Sequence, residues 1–153
     1  MKKLLFTLLI ILSMSTLSYS QNTEIQYDSV LAQKLGADVY GMKSYFFVLL
    51  KTGSFVTNDK VVLDSLFRGH MKNISKLAES NKLVVAGPYG KNDLKYRGLF
   101  ILNVTELAEA KELLKGDPAI SSGLFDVEIV PWYGSAALPV YLETHKKIAA
   151  QNP

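Results

Sequence analysis

The run Tyr45-Phe46-Phe47-Val48-Leu49-Leu50 is the most restrictive feature of the sequence. It is unbroken, mixes aromatic and aliphatic residues, and lies between turn-forming Gly41 and Gly53, so it reads as a strand buried on both faces. Leu99–Leu102 repeats the property. Between the two runs the periodicity changes. Leu63, Leu66, Phe67, His70, Ile74 and Leu77 recur three and four apart, which gathers them on one face of a helix over residues 60–80, with Asn58 or Asp59 as its cap. Leu83–Ala86, stopped by Gly87 and Pro88, and Leu99–Val104 supply two more strands. A second helix, capped by Thr105, turns Leu107, Ala110, Leu113 and Leu114 inward and stops at Gly116. Leu124–Val130 is the last strand, ended by Pro131.

Strand, helix, strand, strand, helix, strand is an α+β order, the ferredoxin-like βαββαβ arrangement with both helices on one face of an antiparallel sheet. Such a sheet leaves its other face wet, and its strands then alternate apolar with polar residues. These strands do not alternate. Either the terminal segments or a second copy of the chain must cover the other face. Closed twofold assembly is the commonest solution for a self-complementary patch, so a homodimer forming a dimeric α/β barrel is expected.

Around this core the chain divides into four parts. Lys2 and Lys3 precede Leu4–Leu12, interrupted only by Thr7, and then Ser13–Ser20: residues 1–20 have the parts of a secretory signal peptide. The apolar run is too short to span a bilayer comfortably, so no stable membrane span is expected after cleavage, and the product is periplasmic or secreted. Residues 21–43 form an N-terminal extension in which Asp28 caps a short helix carrying Val30, Leu31 and Leu35, stopped by Gly36. Residues 44–133 are the folded domain, and 134–153 a tail with a short helix around Val140–Ala149.

A net charge of +3 and a pI near 9.0 suggest nucleic acid at first sight. Losing residues 1–20 removes two lysines and no acid, which leaves 15 Lys and Arg against 14 Asp and Glu over 133 residues. No basic stripe with interleaved aromatics remains, so a nucleic-acid partner is not expected. The chain has no cysteine, which excludes a disulfide framework, a thiolate metal site, an iron–sulfur cluster and a cysteine nucleophile. Its two histidines have no zinc-site spacing, and no serine sits in a nucleophile elbow. No metal and no cofactor are expected. The chemistry left is that of imidazole and carboxylate.

His70 lies in the middle of the apolar face of the first long helix, where a histidine is either a core residue with one hydrogen bond or a catalytic base. A carboxylate able to orient the ring distinguishes the two. Asp117 is the natural partner: it follows Gly116 at the end of the second helix and precedes Pro118, a setting equally suited to an ordinary turn. Side-by-side helices on one sheet face would let His70 and Asp117 approach, and such a pair fixes one imidazole tautomer for acid–base work. Gly87, Pro88 and Tyr89 end the second strand, while Tyr96 and Arg97 close the same loop from the other side. The first three are explained by turn chemistry alone, but together the five can wall a substrate site, with a hydrogen bond from tyrosine and an anion contact from Arg97. Arg97 fits a solvent-facing strand position equally well. His145, beside Lys146 and Lys147, reads as a solvated surface residue.

These features resemble a known family. The apolar first strand, the histidine midway along the first long helix, Ala86-Gly87-Pro88, Asp117-Pro118 followed by Gly123, and the ending Val130-Pro131-Trp132 are similar to the YCII-related (YciI-like) domain family over residues 45–133. The resemblance implies a ferredoxin-like protomer in a dimeric α/β barrel, and a pocket lined by a His–Asp pair at His70 and Asp117. Some members carry out cofactor-free chemistry on small ring compounds; others are domains without an established activity. The signal peptide and extension depart from the minimal family pattern and suggest an exported bacterial protein, so no substrate of a cytoplasmic relative is transferred.

Two classes of function follow. The first is a small cofactor-independent lyase, isomerase or hydrolase in which His70 moves a proton and Asp117 orients it. The second is a non-catalytic module that binds a small ligand or only dimerises. An open pocket with His70 and Asp117 within hydrogen-bond reach favours the enzyme; a dry core with His70 bonded only to backbone favours the module.

Overall fold

The computed structural model describes residues 26–151, so the expected signal peptide and the first residues of the extension lie outside the described residues. The Asp28 carboxylate accepts from the Leu31 amide at 2.9 Å and starts helix α1 (Ser29–Leu35). Gly36, in the left-handed region at φ 71°, ends it. Helix α1 buries none of its residues, and Val30 and Leu31 are exposed, so it does not cover the sheet.

The core elements follow in the expected order: β1 (Met42–Thr52), α2 (Lys60–Glu79), β2 (Leu83–Pro88), β3 (Tyr96–Leu102), α3 (Leu107–Lys115), the short α4 (Pro118–Ser121) and β4 (Phe125–Ser135). The sheet is antiparallel with strand order β2-β3-β1-β4, the ferredoxin-like topology. The two strands with unbroken apolar runs are the two central ones. Phe46, Val48 and Leu50 of β1 and Phe100 and Leu102 of β3 pack against Leu77 of α2 and Ala110 and Leu114 of α3. The intervening residues Phe47, Leu49, Leu99 and Ile101 point to the opposite face, where they are only half-buried. Val130 and Trp132 are exposed beside them.

Several boundaries differ from the sequence reading: β2 reaches Pro88 instead of stopping at Ala86, and β3 runs Tyr96–Leu102 instead of Leu99–Val104. Pro131 does not end the last strand: β4 continues to Ser135 and pairs with β1 along its whole length. It lies at the sheet edge, where a missing amide hydrogen costs no ladder bond if that side faces outward. Thr105 does not cap α3; Glu106 occupies the cap position and makes no side-chain bond there. After β4 a 3-10 turn (Leu138–Val140) leads into helix α5 (Tyr141–Ile148). Among the described residues no helix is long and apolar enough to cross a membrane.

Candidate active site

Helix α2 starts where Asp59 accepts hydrogen bonds from the amides of Val61 and Val62, at 2.8 and 3.3 Å. Its phase then buries His70, Asn73 and Leu77. Next to the histidine, Gly69 leaves room for α4 to come close: a Cβ on residue 69 would lie 2.6 Å from Pro118 Cγ. Asp117 is the cap of α4, its Oδ1 accepting from the Ala119 amide at 2.9 Å. The other carboxylate oxygen, Oδ2, is 2.7 Å from His70 Nδ1 and 3.4 Å from Asn73 Nδ2. One fully buried carboxylate therefore ties the short helix to the long one.

With Oδ2 as acceptor, Nδ1 carries the hydrogen and the neutral ring presents its lone pair at Nε2. The ring stacks on Phe100 at 5.8 Å between centroids and meets Phe125 edge-on at 5.3 Å. Nε2 makes no hydrogen bond with the described residues, yet no buried side-chain nitrogen or oxygen among them lacks a partner. Nε2 must therefore reach open space. That space is a cavity of about 510 Å³ between α2 and the β2–β3 half of the sheet. His70, Phe67, Phe100 and Phe125 wall it together with Gly87 and Pro88.

Two strand irregularities shape this cavity. Leu50 pairs with Gly98 but Lys51 pairs with Tyr96, so Arg97 is the extra residue of a β-bulge. Strict alternation would put Arg97 on the face of Leu99; instead it lines the cavity, its guanidinium 5.9 Å from the Phe125 ring centroid. Among the described residues Arg97 has no carboxylate partner. On β2, Leu83 pairs with Leu102 and Val85 with Ile101, which makes Val84 the second extra residue. Its carbonyl accepts a hydrogen bond from the Tyr141 hydroxyl of α5.

Of the residues singled out in the sequence, His70, Gly87, Pro88 and Arg97 meet at one cavity, with Asp117 directly behind His70. Tyr89 and Tyr96 do not line it. They pack on each other at 6.1 Å, at the end of the hairpin where Asn92 bonds the carbonyls of Gly90 and Tyr96. The expected tail helix is present as α5, but its place at the cavity was not foreseen: it contributes Tyr141, Leu142 and His145 to the wall. His145, expected as a solvated surface residue, is exposed as expected but faces the same space as His70. Its spacing of four from Tyr141 was the available signal; two adjacent lysines obscured it.

Comparison with curated proteins gives no match. Among solved structures, the chain is similar to the 5-chloro-2-hydroxyhydroquinone dehydrochlorinase of Burkholderia phenoliruptrix AC1100, solved with 2,5-dihydroxybenzoquinone. The two are 19% identical over 57% of this chain and 90% of that one, with a TM-score of 0.39. A family profile described as the YCII-related domain matches residues 46–133, from within β1 almost to the end of β4. That stretch is more than half of the chain and holds the His70–Asp117 pair, the cavity's bulges and the whole ferredoxin-like core, so this chain belongs to the YCII-related domain family.

Proposed function

We propose that the chain is an exported, homodimeric, cofactor-independent enzyme that performs acid–base chemistry on a small organic molecule. One observation carries the reading: a fully buried carboxylate holds His70 by Nδ1, leaving Nε2 free toward a cavity of about 510 Å³. This is the geometry that separates a working base from a core histidine. Nε2 takes a proton from the substrate, Asp117 steadies the resulting imidazolium, and Nε2 then returns the proton to a leaving group or a neighbouring atom. Elimination and isomerisation share that first step; in hydrolysis Nε2 takes the proton from the attacking water instead. Three phenylalanine rings around the site suit an apolar substrate body, and Arg97, without a carboxylate partner among the described residues, suits an oxygen that gains negative charge in the transition state. Gly87 and Pro88 supply wall without polar demand.

Export rests on the pattern of residues 1–20, and the dimer on the half-exposed apolar face of the sheet. The catalytic reading is tested by screening small ring compounds for turnover with the wild type and His70→Ala. A substrate whose turnover falls about 10²-fold or more in the variant supports it. Equal turnover by the two proteins removes His70 from the chemistry. Ligands that bind beside His70 but are never turned over would make the domain a binding module.

A further inference from the structure

Helix α5 lies outside the family-matched residues 46–133, yet it supplies three side chains to the cavity that His70 faces. Its position is fixed by a specific contact: the Tyr141 hydroxyl donates to the Val84 carbonyl, at the bulge of β2. Burial pushes the Tyr141 phenol above its ordinary range, so it remains a neutral donor at physiological pH. One turn further on, His145 meets the Tyr141 ring edge-on at 6.5 Å between centroids. The helix thus delivers a second imidazole to a cavity whose other polar groups are His70 and Arg97.

We propose that His145 is a second ligand-contacting residue of this site, held in place by the Tyr141 latch, and that it selects small organic anions carrying a second polar group. The proposal rests on the catalytic reading of His70 and deepens it. Arg97 provides the anion contact, and the phenylalanines enclose the apolar body. His145 then hydrogen-bonds a hydroxyl or carbonyl on the side of the ligand facing α5. Because α5 is not part of the matched domain, this contact distinguishes the chain from a YCII domain that ends after its last strand.

The test uses 4-hydroxybenzoate, an apolar ring with a carboxylate and a hydroxyl, and follows the imidazole resonances of the only two histidines in the sequence. Both histidines are expected to shift along one binding isotherm. His145→Ala should weaken binding about five- to tenfold, the loss of one hydrogen bond to a ligand. Tyr141→Phe should weaken it too, and reduce the shift at His145 more than that at His70. Lys146→Gln, on the same helix, should bind as the wild type does. If only His70 responds and His145→Ala binds normally, the proposal is overturned while the reading of His70 stands. If neither histidine responds, the reading of the cavity as the ligand site fails, and this proposal fails with it.

Discussion

Asp117 holds two structural positions with two oxygens, and substitutions can separate them. Oδ1 caps α4 through the Ala119 amide, while Oδ2 orients His70 and accepts from Asn73. Asp117→Asn keeps an oxygen for the cap but turns an amide donor toward Nδ1, which drives the ring proton to Nε2. Nitrogen-15 spectra should report that tautomer change, and turnover of any His70-dependent substrate should fall roughly 10²–10⁴-fold with the fold intact. Asp117→Ala removes both roles; it should cost about 1 kcal/mol for the cap and about 1–3 kcal/mol more for the buried polar partners left behind. An Asn variant with unchanged tautomer and rate would show that the pair is only structural. Tyr45 gives a prediction at alkaline pH. Its hydroxyl donates to the Ser135 carbonyl at 2.8 Å, and burial pushes its pKa up to about 12 from the ordinary 10.0. Between these values the unfolded chain releases a proton that the folded chain keeps, so stability is full below about pH 10 and falls as pH rises through the folded value. An absorbance titration should show a tyrosine phase near pH 12, and Tyr45→Phe should remove it.

At the scale of elements, the site depends on how closely α2 approaches α4. A methyl group on Gly69 meets the stiff ring of Pro118, so Gly69→Ala must push the helices apart, lowering stability by about 1–3 kcal/mol and lengthening the His70–Asp117 bond. Pro118→Ala removes the obstructing ring, so the double variant should be more stable than the sum of the two single losses. Additive losses in a denaturation cycle would exclude this contact as the cause. The same close approach marks a limit of reading the chain in one dimension. Helix phase and the caps at Asp28 and Asp59 are local, and three- and four-residue spacing makes them legible. His70 and Asp117 could be named as partners from their elements, but their contact spans 47 positions and depends on Gly69, whose role no local pattern reveals. Arg97 enters the cavity through a bulge, a register event between two strands. Alternation within its own strand assigns it to the wrong face. Pro131 was misread for a related reason: whether proline ends a strand depends on which side of the sheet is unpaired. His145 is exposed as its lysine neighbours suggest, but its approach to the cavity depends on how α5 packs, which no local pattern reveals.

For the whole molecule the decisive feature is the sheet face away from the helices. Phe47, Leu49, Leu99 and Ile101 are half-buried there, Val130 and Trp132 are exposed, and neither α1 nor α5 covers them. Helix α5 goes instead to the cavity on the opposite side. The patch is bordered by charge: Lys51 pairs with Glu128 at 3.4 Å at one end, and Lys43 lies 5.1 Å from the Tyr45 ring centroid at the other. An apolar centre with a polar rim is the anatomy of a protein interface. A twofold axis through this face would stack two sheets into the barrel, and a stable pair needs on the order of 800 Å² from each partner. The mature protein should therefore sediment as a species of about 30 kDa at micromolar concentration, two copies of the chain. Ile101→Lys places a charge at the centre of the patch, where a long stem can still reach water in the monomer but not in the pair. The variant should sediment as a monomer with an unchanged far-ultraviolet spectrum. Its His70–Asp117 resonance should also persist, because that pair is built within one chain on the opposite face. A wild type that sediments as a monomer would end the barrel reading and leave the His70–Asp117 pair in place, since that contact is made within one chain.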